Sequence, residues 1–172
     1  MIPWIRFEWS TARVADPVVD VAPFILRSAT KEDAAVVGRV IASSIAMDSS
    51  WSDVTKTLGE KLLAGVNAAF ELAEPPCVVL VHGARVIGAS VLDLDLASEN
   101  HLVTGPCVLH EYRNRGFGTS LLHASLEFLE QNGVSTARGC TRSNSVSARF
   151  VYPKFGGVST PLEADPLTAK AE

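Results

Sequence analysis

The sequence has few cysteines, no long apolar run and no excess of positive charge, and each shortage excludes a class of protein. Its 172 residues include three cysteines, Cys77, Cys107 and Cys140. Their odd number and wide spacing fit neither a disulfide framework nor a zinc site. No segment approaches the roughly 20 apolar residues of a membrane-spanning helix, and the first residues lack the basic and apolar regions of a signal peptide. The sequence therefore predicts a cytoplasmic protein with no metal site and no membrane partner.

The charge of the chain is slightly negative and unevenly distributed. A formal net charge of −4 argues against a nucleic-acid partner. Residues 105–156, however, contain six basic and three acidic side chains, so this region carries +3 and the remainder of the chain −7. The local excess favours a small polyanionic ligand, and an ordinary solvated surface is the alternative interpretation.

The composition, 47% hydrophobic and 20% charged, is that of a globular protein with one core. Residues 1–22 differ from the rest because Ile5, Phe7 and Trp9 alternate with bulkier or polar neighbours. This alternation predicts an added strand, followed by a linker through Pro17. Residues 23–157 are predicted to form one α/β domain, and residues 158–172 a short C-terminal tail.

Hydrophobic periodicity predicts the element order β-β-α-α-β-β-β-α-β-α, with the added strand first. Helices are predicted after Thr30, over Ser52–Leu72 and Gly118–Gln131, and as a short segment over Ser145–Tyr152. The predicted strands of the domain are Phe24–Arg27, Cys77–Val81, Arg85–Leu96, His101–Leu109 and Val134–Thr141. The second and third of these form a hairpin at residues 82–84, and the last is expected to run parallel to the strand before it.

The segment most informative about chemistry is residues 108–119, between a predicted strand and a predicted helix. Gly116 and Gly118 allow a tight turn, so several backbone N–H groups and the positive end of the helix dipole converge on a point suited to phosphate. Arg113 and Arg115 add positive charge. The segment lacks the lysine of a Walker motif and the third glycine of a dinucleotide fingerprint, so neither nucleotide-binding interpretation fits.

The Arg-x-x-Gly-x-Gly pattern of Arg113, Gly116 and Gly118 resembles the pyrophosphate-binding motif of the GNAT acyl-CoA N-acyltransferase family. Residues 25–34 resemble the family's first strand and helix start, and residues 147–156 its closing motif. The resemblance covers residues 24–156. It implies a mixed sheet flanked by helices, with splayed central parallel strands between which acyl-CoA binds. It also implies acetyl-CoA as cosubstrate and an amine acceptor, either a small molecule or a peptide.

The resemblance further implies roles for particular residues. Val108 would pair with the pantetheine, and Tyr152 would protonate the leaving CoA thiolate; for Tyr152, packing at a helix end is the alternative. Arg113 or Arg115 would reach the region of the 3′-phosphate. The residues implied in cofactor binding are Val108, Arg113, Asn114, Arg115, Gly116, Phe117, Gly118, Thr119 and Asn144.

The sequence does not single out a general base. Leu102 and Thr104 would share a strand face with Val108, and neither is a base. His101 lies on the other face and is most simply an ordinary strand-end histidine. The other candidates are Asp93, Asp95, Glu99 and ordered water. The acceptor is expected to contact residues 47–51 and the turn at residues 95–99, where acidic side chains could attract a cationic amine.

The sequence also departs from the family's pattern near its end. Ser145 stands where an Asn is common, with Asn144 one position earlier, and Gly157 replaces the usual aromatic residue. The tail is too short for the usual final hairpin, so a strand edge would be left uncovered. We expect residues 4–10 to cover that edge, within the chain or across a homodimer.

Two functions are consistent with these features. The first is an acetyl-CoA-dependent N-acetyltransferase in which a primary amine attacks the thioester directly while backbone N–H groups polarise the carbonyl. The second is a non-catalytic acyl-CoA-binding module that serves in sensing or assembly.

Overall fold

In the described part of the chain, seven strands form two separate sheets, and three α-helices pack against them. The computed structural model describes residues 1–14 and 23–168. The strands are β1 (Trp4–Ser10), β2 (Ile25–Ser28), β3 (Cys77–His82), β4 (Arg85–Val91), β5 (Cys107–Val108), β6 (Thr136–Arg142) and β7 (Val158–Pro161). The helices are α1 (Ala34–Ala46), α2 (Thr55–Glu71) and α3 (Phe117–Gln131), and a one-turn π-helix spans Ser147–Val151. This order confirms the predicted sequence of elements and adds β7 at its end.

The first sheet has the order β2-β3-β4-β5, and all its pairs are antiparallel. Strands β3 and β4 are largely buried because α3 packs against both and α1 packs against β4, whereas the edge strand β2 is mostly exposed. The predicted hairpin between β3 and β4 is confirmed, with Gly83 at a φ of 62° in the turn. At the start of α1, the Asp33 carboxylate accepts hydrogen bonds from Thr30 N–H at 2.8 Å and from Arg27. The bond from Arg27 lowers the pKa of Asp33.

The second sheet has the order β6-β1-β7, so the N-terminal strand lies in the middle. β1 is antiparallel to both neighbours: Phe7 stands opposite Gly139 of β6 and Ser159 of β7. Phe7 and Trp9 are buried. The expectation that residues 4–10 cover the strand edge is confirmed, and the cover comes from within the chain.

Helix α3 connects the two halves of the molecule. Its Leu121 belongs to the core beneath the first sheet, whereas Leu122 and Leu126 belong to the core that contains Phe7 and Trp9. All three leucines are fully buried. The helix therefore fixes the position of one sheet relative to the other.

The prediction of a strand over residues 101–109 is wrong for most of its length. Only Cys107–Val108 forms a strand, with an isolated bridge between Leu102 and Leu92. The ladder is interrupted because Gly105 has a φ of 63° and Pro106 has no N–H to donate. Leu102 and Val108 therefore do not share one continuous face.

The structure places β5 and β6 in different sheets with no ladder between them among the described residues. Their parallel direction stays a prediction, as do the domain limits at residues 22 and 157. The predicted linker through Pro17 and the last four residues of the tail lie outside the described residues. No helix in residues 1–14 and 23–168 is long and apolar enough to span a membrane.

Candidate functional site

A cleft lies where β5 ends the first sheet and β6 ends the second. It contains an open groove of about 510 Å³ and a smaller, more enclosed cavity of about 100 Å³. Val108 of β5 lines the groove, while Cys107 of β5 and Thr141 of β6 both line the cavity. The residues that line both spaces are Ser44, Asp48, Pro106 and Ser147.

The groove is bordered by the N-terminus of α3. Gly116 precedes the helix with a φ of 82°, and Asn114 has a φ of 63°, so the loop turns sharply and leads directly into the first helical turn. The first N–H groups of a helix have no partner within it, and no side chain caps this one. Phe117, Gly118 and Thr119 therefore present free N–H groups and the positive end of the helix dipole at the groove.

The backbone of Val108 also faces the open side of the cleft. Val108 pairs with Gly88, and the neighbouring Leu109 N–H donates to Ile87 O at 2.9 Å. In an antiparallel ladder this makes Gly88 and Val108 a non-hydrogen-bonded pair, whose N–H and C=O groups point outward. The carbonyl of Val108 accepts one long contact, 3.4 Å from Arg113 Nε. Val108 can thus pair with an extended ligand as another strand would.

The positive charges of residues 105–156 do not all gather at the groove. Arg113 lines it, but its Nη2 donates to Ser44 O at 2.8 Å and to Ser44 Oγ at 3.3 Å. This arginine therefore ties β5 to α1. Arg115 is exposed, stacks 5.3 Å from the centre of the Tyr112 ring and does not line the groove. Arg142 is buried against Asp53, with contacts of 2.7 and 3.1 Å.

Lys154 supplies a cation at the groove instead. Its Nζ donates to Thr119 Oγ1 at 3.0 Å, directly above the first turn of α3. Sequence reasoning counted Lys154 in the local charge but gave it no role. Its position, two residues after Tyr152 in the closing motif, is the signal that could have identified it.

Tyr152 lies in the wall of the smaller cavity and does not line the groove. Its ring contacts Phe7 and Trp9 edge-on, with centroid separations of 5.5 and 5.2 Å. Burial raises the pKa of Tyr152, so the phenol stays protonated. The hydroxyl lies beside Gly105, where an added Cβ would stand 2.5 Å from it. Tyr152 is thus both a core residue and a donor at the cavity wall.

Asp48 lies where the groove and the cavity meet. It is half-buried, and its Oδ1 accepts both hydrogen bonds from Ser50, at 3.0 Å from the N–H and 2.6 Å from the hydroxyl. Asp48 is the only acidic residue among the described ones that line either space. Of residues 47–51, Asp48 and Trp51 line the cleft, and the role of this segment at the acceptor stays a prediction.

The other acidic candidates and His101 are used elsewhere. His101 is fully buried; its Nδ1 accepts from Arg138 N–H at 2.9 Å, so its Nε2 donates to Asp95 O at 3.0 Å. Burial lowers the pKa of His101, which keeps it neutral. Asp93 accepts from Asp95 N–H, and Glu99 pairs with Arg6. None of these side chains lines the cleft.

The structure explains two departures from the family's pattern, the serine at position 145 by a hydrogen bond and the glycine at position 157 by a steric contact. Ser145, and not Asn144, organises the π-helix: Ser145 Oγ accepts from Ala148 N–H at 3.0 Å, while Asn144 is exposed and lines neither space. A Cβ on Gly157 would lie 2.6 Å from Trp9 Nε1. The indole of β1 therefore occupies the volume that the usual aromatic would need.

Together these features define a mixed α/β protein with a glycine-rich, uncapped helix N-terminus at the mouth of a cleft between two sheets. The model of the Acetyltransferase (GNAT) family matches residues 30–156. The chain belongs to this family.

Two solved structures share the fold of this chain, and one further protein resembles part of its sequence. A GCN5-related N-acetyltransferase from Sphaerobacter thermophilus superposes with a TM-score of 0.68 at 11% identity, covering 93% of this chain and 49% of that one. A GNAT-family acetyltransferase from Colwellia psychrerythraea gives 0.62 at 16% identity, covering 94% and 54%. Sulfhydrogenase 2 subunit gamma of Pyrococcus furiosus is 30% identical over 119 residues, 62% of this chain and 41% of that protein. The chain thus spans about half the length, or less, of these proteins.

Proposed function

We propose that the protein is an N-acetyltransferase that transfers the acetyl group of acetyl-CoA to a primary amine. The observation that carries this proposal is that one groove combines the free N–H groups of α3 with the outward-facing backbone of Val108. The first feature suits a pyrophosphate and the second an extended pantetheine arm. Membership of the acetyltransferase family supports the same assignment.

The fit of the groove to the cosubstrate also rests on charge. Lys154 lies over the helix N-terminus through its bond to Thr119 and adds a cation for the phosphates. Arg113 contributes indirectly, because its bonds to Ser44 and Val108 hold the strand that would pair with the pantetheine. No group of three or more metal-ligating side chains occurs in residues 1–14 and 23–168.

Acetyl-CoA supplies an activated acyl group. The amine nitrogen forms a bond to the carbonyl carbon, the C–S bond breaks, the nitrogen gives up a proton, and the sulfur gains one. Tyr152 remains protonated because of its burial, so it can donate a hydrogen bond to the sulfur as negative charge develops there. The same burial makes complete loss of its proton costly, which favours a role as a hydrogen-bond donor.

The proposal is tested by titrating the protein with acetyl-CoA in a calorimeter and then measuring thiol release with a panel of amines. Binding followed by thiol release supports the transferase. Binding without release from any amine favours the sensing or assembly module, and no binding contradicts both.

A matched pair of glycine variants tests the groove itself. Gly118 lines the groove, and its Cβ would meet only Val151 at 3.4 Å, so the phenyl ring of Gly118→Phe would extend into the ligand's space. We expect loss of acetyl-CoA binding. Gly59→Phe on α2, where a Cβ meets nothing within 4 Å, is the control and should bind normally. Equal affinity of both variants would contradict the assignment.

The cytoplasmic location and a homodimer stay predictions of the sequence.

A further inference from the structure

We propose that the smaller cavity is the acceptor site and that it takes a small monoamine, whose ammonium group is bound by Asp48. In the same proposal, the tail segment, residues 162–168, limits the size of this amine. The inference rests on the proposed transferase function, because it names the acceptor of that same site.

The position of the cavity fits an acceptor. It opens into the groove at Ser44, Asp48, Pro106 and Ser147, and Tyr152 forms part of its opposite wall. An amine in the cavity would therefore stand between the groove and the phenol. This is the place from which a nucleophile reaches a thioester held in the groove.

Among the residues that the structure describes, the cavity offers a cation one carboxylate, that of Asp48. Asp48 uses Oδ1 for both bonds to Ser50, and none of the described residues donates to its Oδ2. The cation in the cavity lining is Lys61, which is exposed and donates to Pro166 O at 2.6 Å. Asp48 can therefore pair with an incoming ammonium group, which passes one proton to solvent water before the nitrogen lone pair attacks the carbonyl carbon. Among the described residues no second carboxylate lines the cavity for a diamine or polyamine.

The volume of the cavity limits the body of the amine. A cavity of about 150 Å³ holds benzene, which has six carbon atoms. By proportion, the 100 Å³ seen here holds about four non-hydrogen atoms. Trp4 and Trp51, with ring centroids 5.7 Å apart, form an aromatic part of the wall. A short alkylamine fits within this volume, whereas an arylalkylamine or an aminoglycoside exceeds it and would have to displace the residues that line it or extend into the groove.

The tail segment closes the cavity from outside. Leu162 N–H donates to Trp4 O at 3.0 Å, so the segment begins bound to β1. It is fixed again where Pro166 O accepts from Lys61, and the side chains of Pro166 and Leu167 line the cavity. Asp165 stabilises the turn between these points by accepting from Leu167 N–H at 2.8 Å. Leu167 is therefore the residue whose truncation should enlarge the site.

The size limit is tested by comparing propylamine with benzylamine as acceptors. We expect kcat/KM to favour propylamine by about 100-fold or more in the native protein. Leu167→Ala should reduce this ratio at least tenfold, because its kcat/KM for benzylamine should rise. Leu63→Ala is the matched control, because Leu63 lies on α2 and does not line the cavity. An unchanged ratio in Leu167→Ala, with native Tm and acetyl-CoA affinity, overturns the assignment of the wall.

The ammonium site is tested by Asp48→Asn, which keeps an oxygen for the bonds from Ser50. We expect the KM for propylamine to rise about tenfold or more, with a smaller change in kcat and with acetyl-CoA affinity within about twofold of native. Glu60→Gln on the exposed face of α2 makes the same charge change outside the cavity and should leave KM unchanged. An unchanged KM in Asp48→Asn overturns the role of Asp48.

Failure of this inference can be distinguished from failure of the proposed function. Native protein that acetylates benzylamine or spermidine as well as propylamine overturns the acceptor assignment and leaves the transferase intact. If the protein does not bind acetyl-CoA, both the proposed transferase function and the acceptor site that rests on it are contradicted.

Discussion

At the scale of single residues, burial decides which polar side chains are structural and which are available for chemistry. His101 has both ring nitrogens bonded inside the protein and lines neither space. Asp48 is half-buried and faces both. The sequence favoured an ordinary strand-end role for His101 and placed Asp48 in the segment expected at the acceptor, but neither residue type nor strand alternation reports a hydrogen-bond partner. The alternation argument failed at this point because Gly105 breaks the strand.

His101 predicts a pH dependence of stability. Its pKa in the folded protein lies below the ordinary value of 6.5, so the unfolded chain binds more protons as the pH falls below about 6.5. Stability conferred by the neutral ring is complete above that pH and declines from there towards pH 5. Urea denaturation at pH 7.5, 6.5 and 5.5 should show this decline. In His101→Gln the decline over the same range should be smaller; an equal decline in both proteins would contradict the assignment.

Tyr152 predicts a loss of turnover without a loss of binding. Tyr152→Phe removes the phenol and leaves the ring that contacts Phe7 and Trp9. We expect thiol release to fall by about 100-fold, with acetyl-CoA affinity close to native. Steady-state kinetics and calorimetry measure the two quantities. Turnover at the native rate would remove Tyr152 from the mechanism.

We expect the position of the Tyr152 hydroxyl to depend on the absence of a side chain at Gly105. Both Gly105 and Gly83 have a positive φ, at 63° and 62°, so alanine at either site costs about 1 kcal/mol or more in backbone strain. Only at Gly105 would the new Cβ meet the phenol, at 2.5 Å, because Gly83 has nothing within 4 Å. We expect Gly105→Ala to lower both Tm and kcat, and Gly83→Ala to lower Tm alone. Equal kcat values would show that the phenol tolerates displacement.

At the scale of elements, β1 supports the closing motif. Trp9 Nε1 donates to Tyr152 O at 3.2 Å and to Lys154 O at 3.1 Å, so one indole fixes the backbone of the residues that face the cavity and the groove. The sequence predicted β1 from its alternation and predicted which edge it would cover. It could not predict that the indole takes the space beside Gly157, since that requires the three-dimensional register.

A pair of tryptophan variants tests this support. Trp9→Phe removes the donor of the buried Tyr152 carbonyl and one of the two donors of the Lys154 carbonyl, which also accepts from Gly157 N–H at 3.2 Å. We expect a loss of about 1–3 kcal/mol in the free energy of unfolding. Trp4 provides the control because its Nε1 is buried with no partner among the described residues. Trp4→Phe should therefore cost less. Chemical denaturation compares the two, and a greater cost for Trp4→Phe would contradict the role given to Trp9.

The helices were the most predictable elements. The apolar positions of α3 repeat with a helical period, and the motif at Gly116 marks its start, so the predicted Gly118–Gln131 differs from the observed Phe117–Gln131 by one residue. The tail was predicted without a strand, yet residues 158–161 form β7. These four residues are exposed and gain their strand structure from pairing with β1, a contact that local sequence does not encode.

At the scale of the whole molecule, the second sheet depends on both ends of the described chain. β1 separates β6 from β7, so its removal would expose an edge on each and open the core around Phe7 and Trp9. We expect deletion of residues 1–12 to cause aggregation, measured by light scattering. A synthetic peptide of residues 1–14, added during refolding, should restore soluble protein. A soluble deletion variant with native Tm would contradict this dependence.

The place of β1 in its sheet also has a consequence for how the chain folds during synthesis. Ser10 pairs with Thr136, so the partner strand leaves the ribosome more than 120 residues after β1. At roughly 5–20 residues per second, a strand that carries Trp4, Phe7 and Trp9 waits about 6–25 s with its apolar face unpaired. The first sheet, whose hairpin is local, can form in that interval. A nascent chain therefore carries this apolar segment unpaired until β6 has been synthesised, and we expect the second sheet to close after the first, because its pairing is the less local of the two.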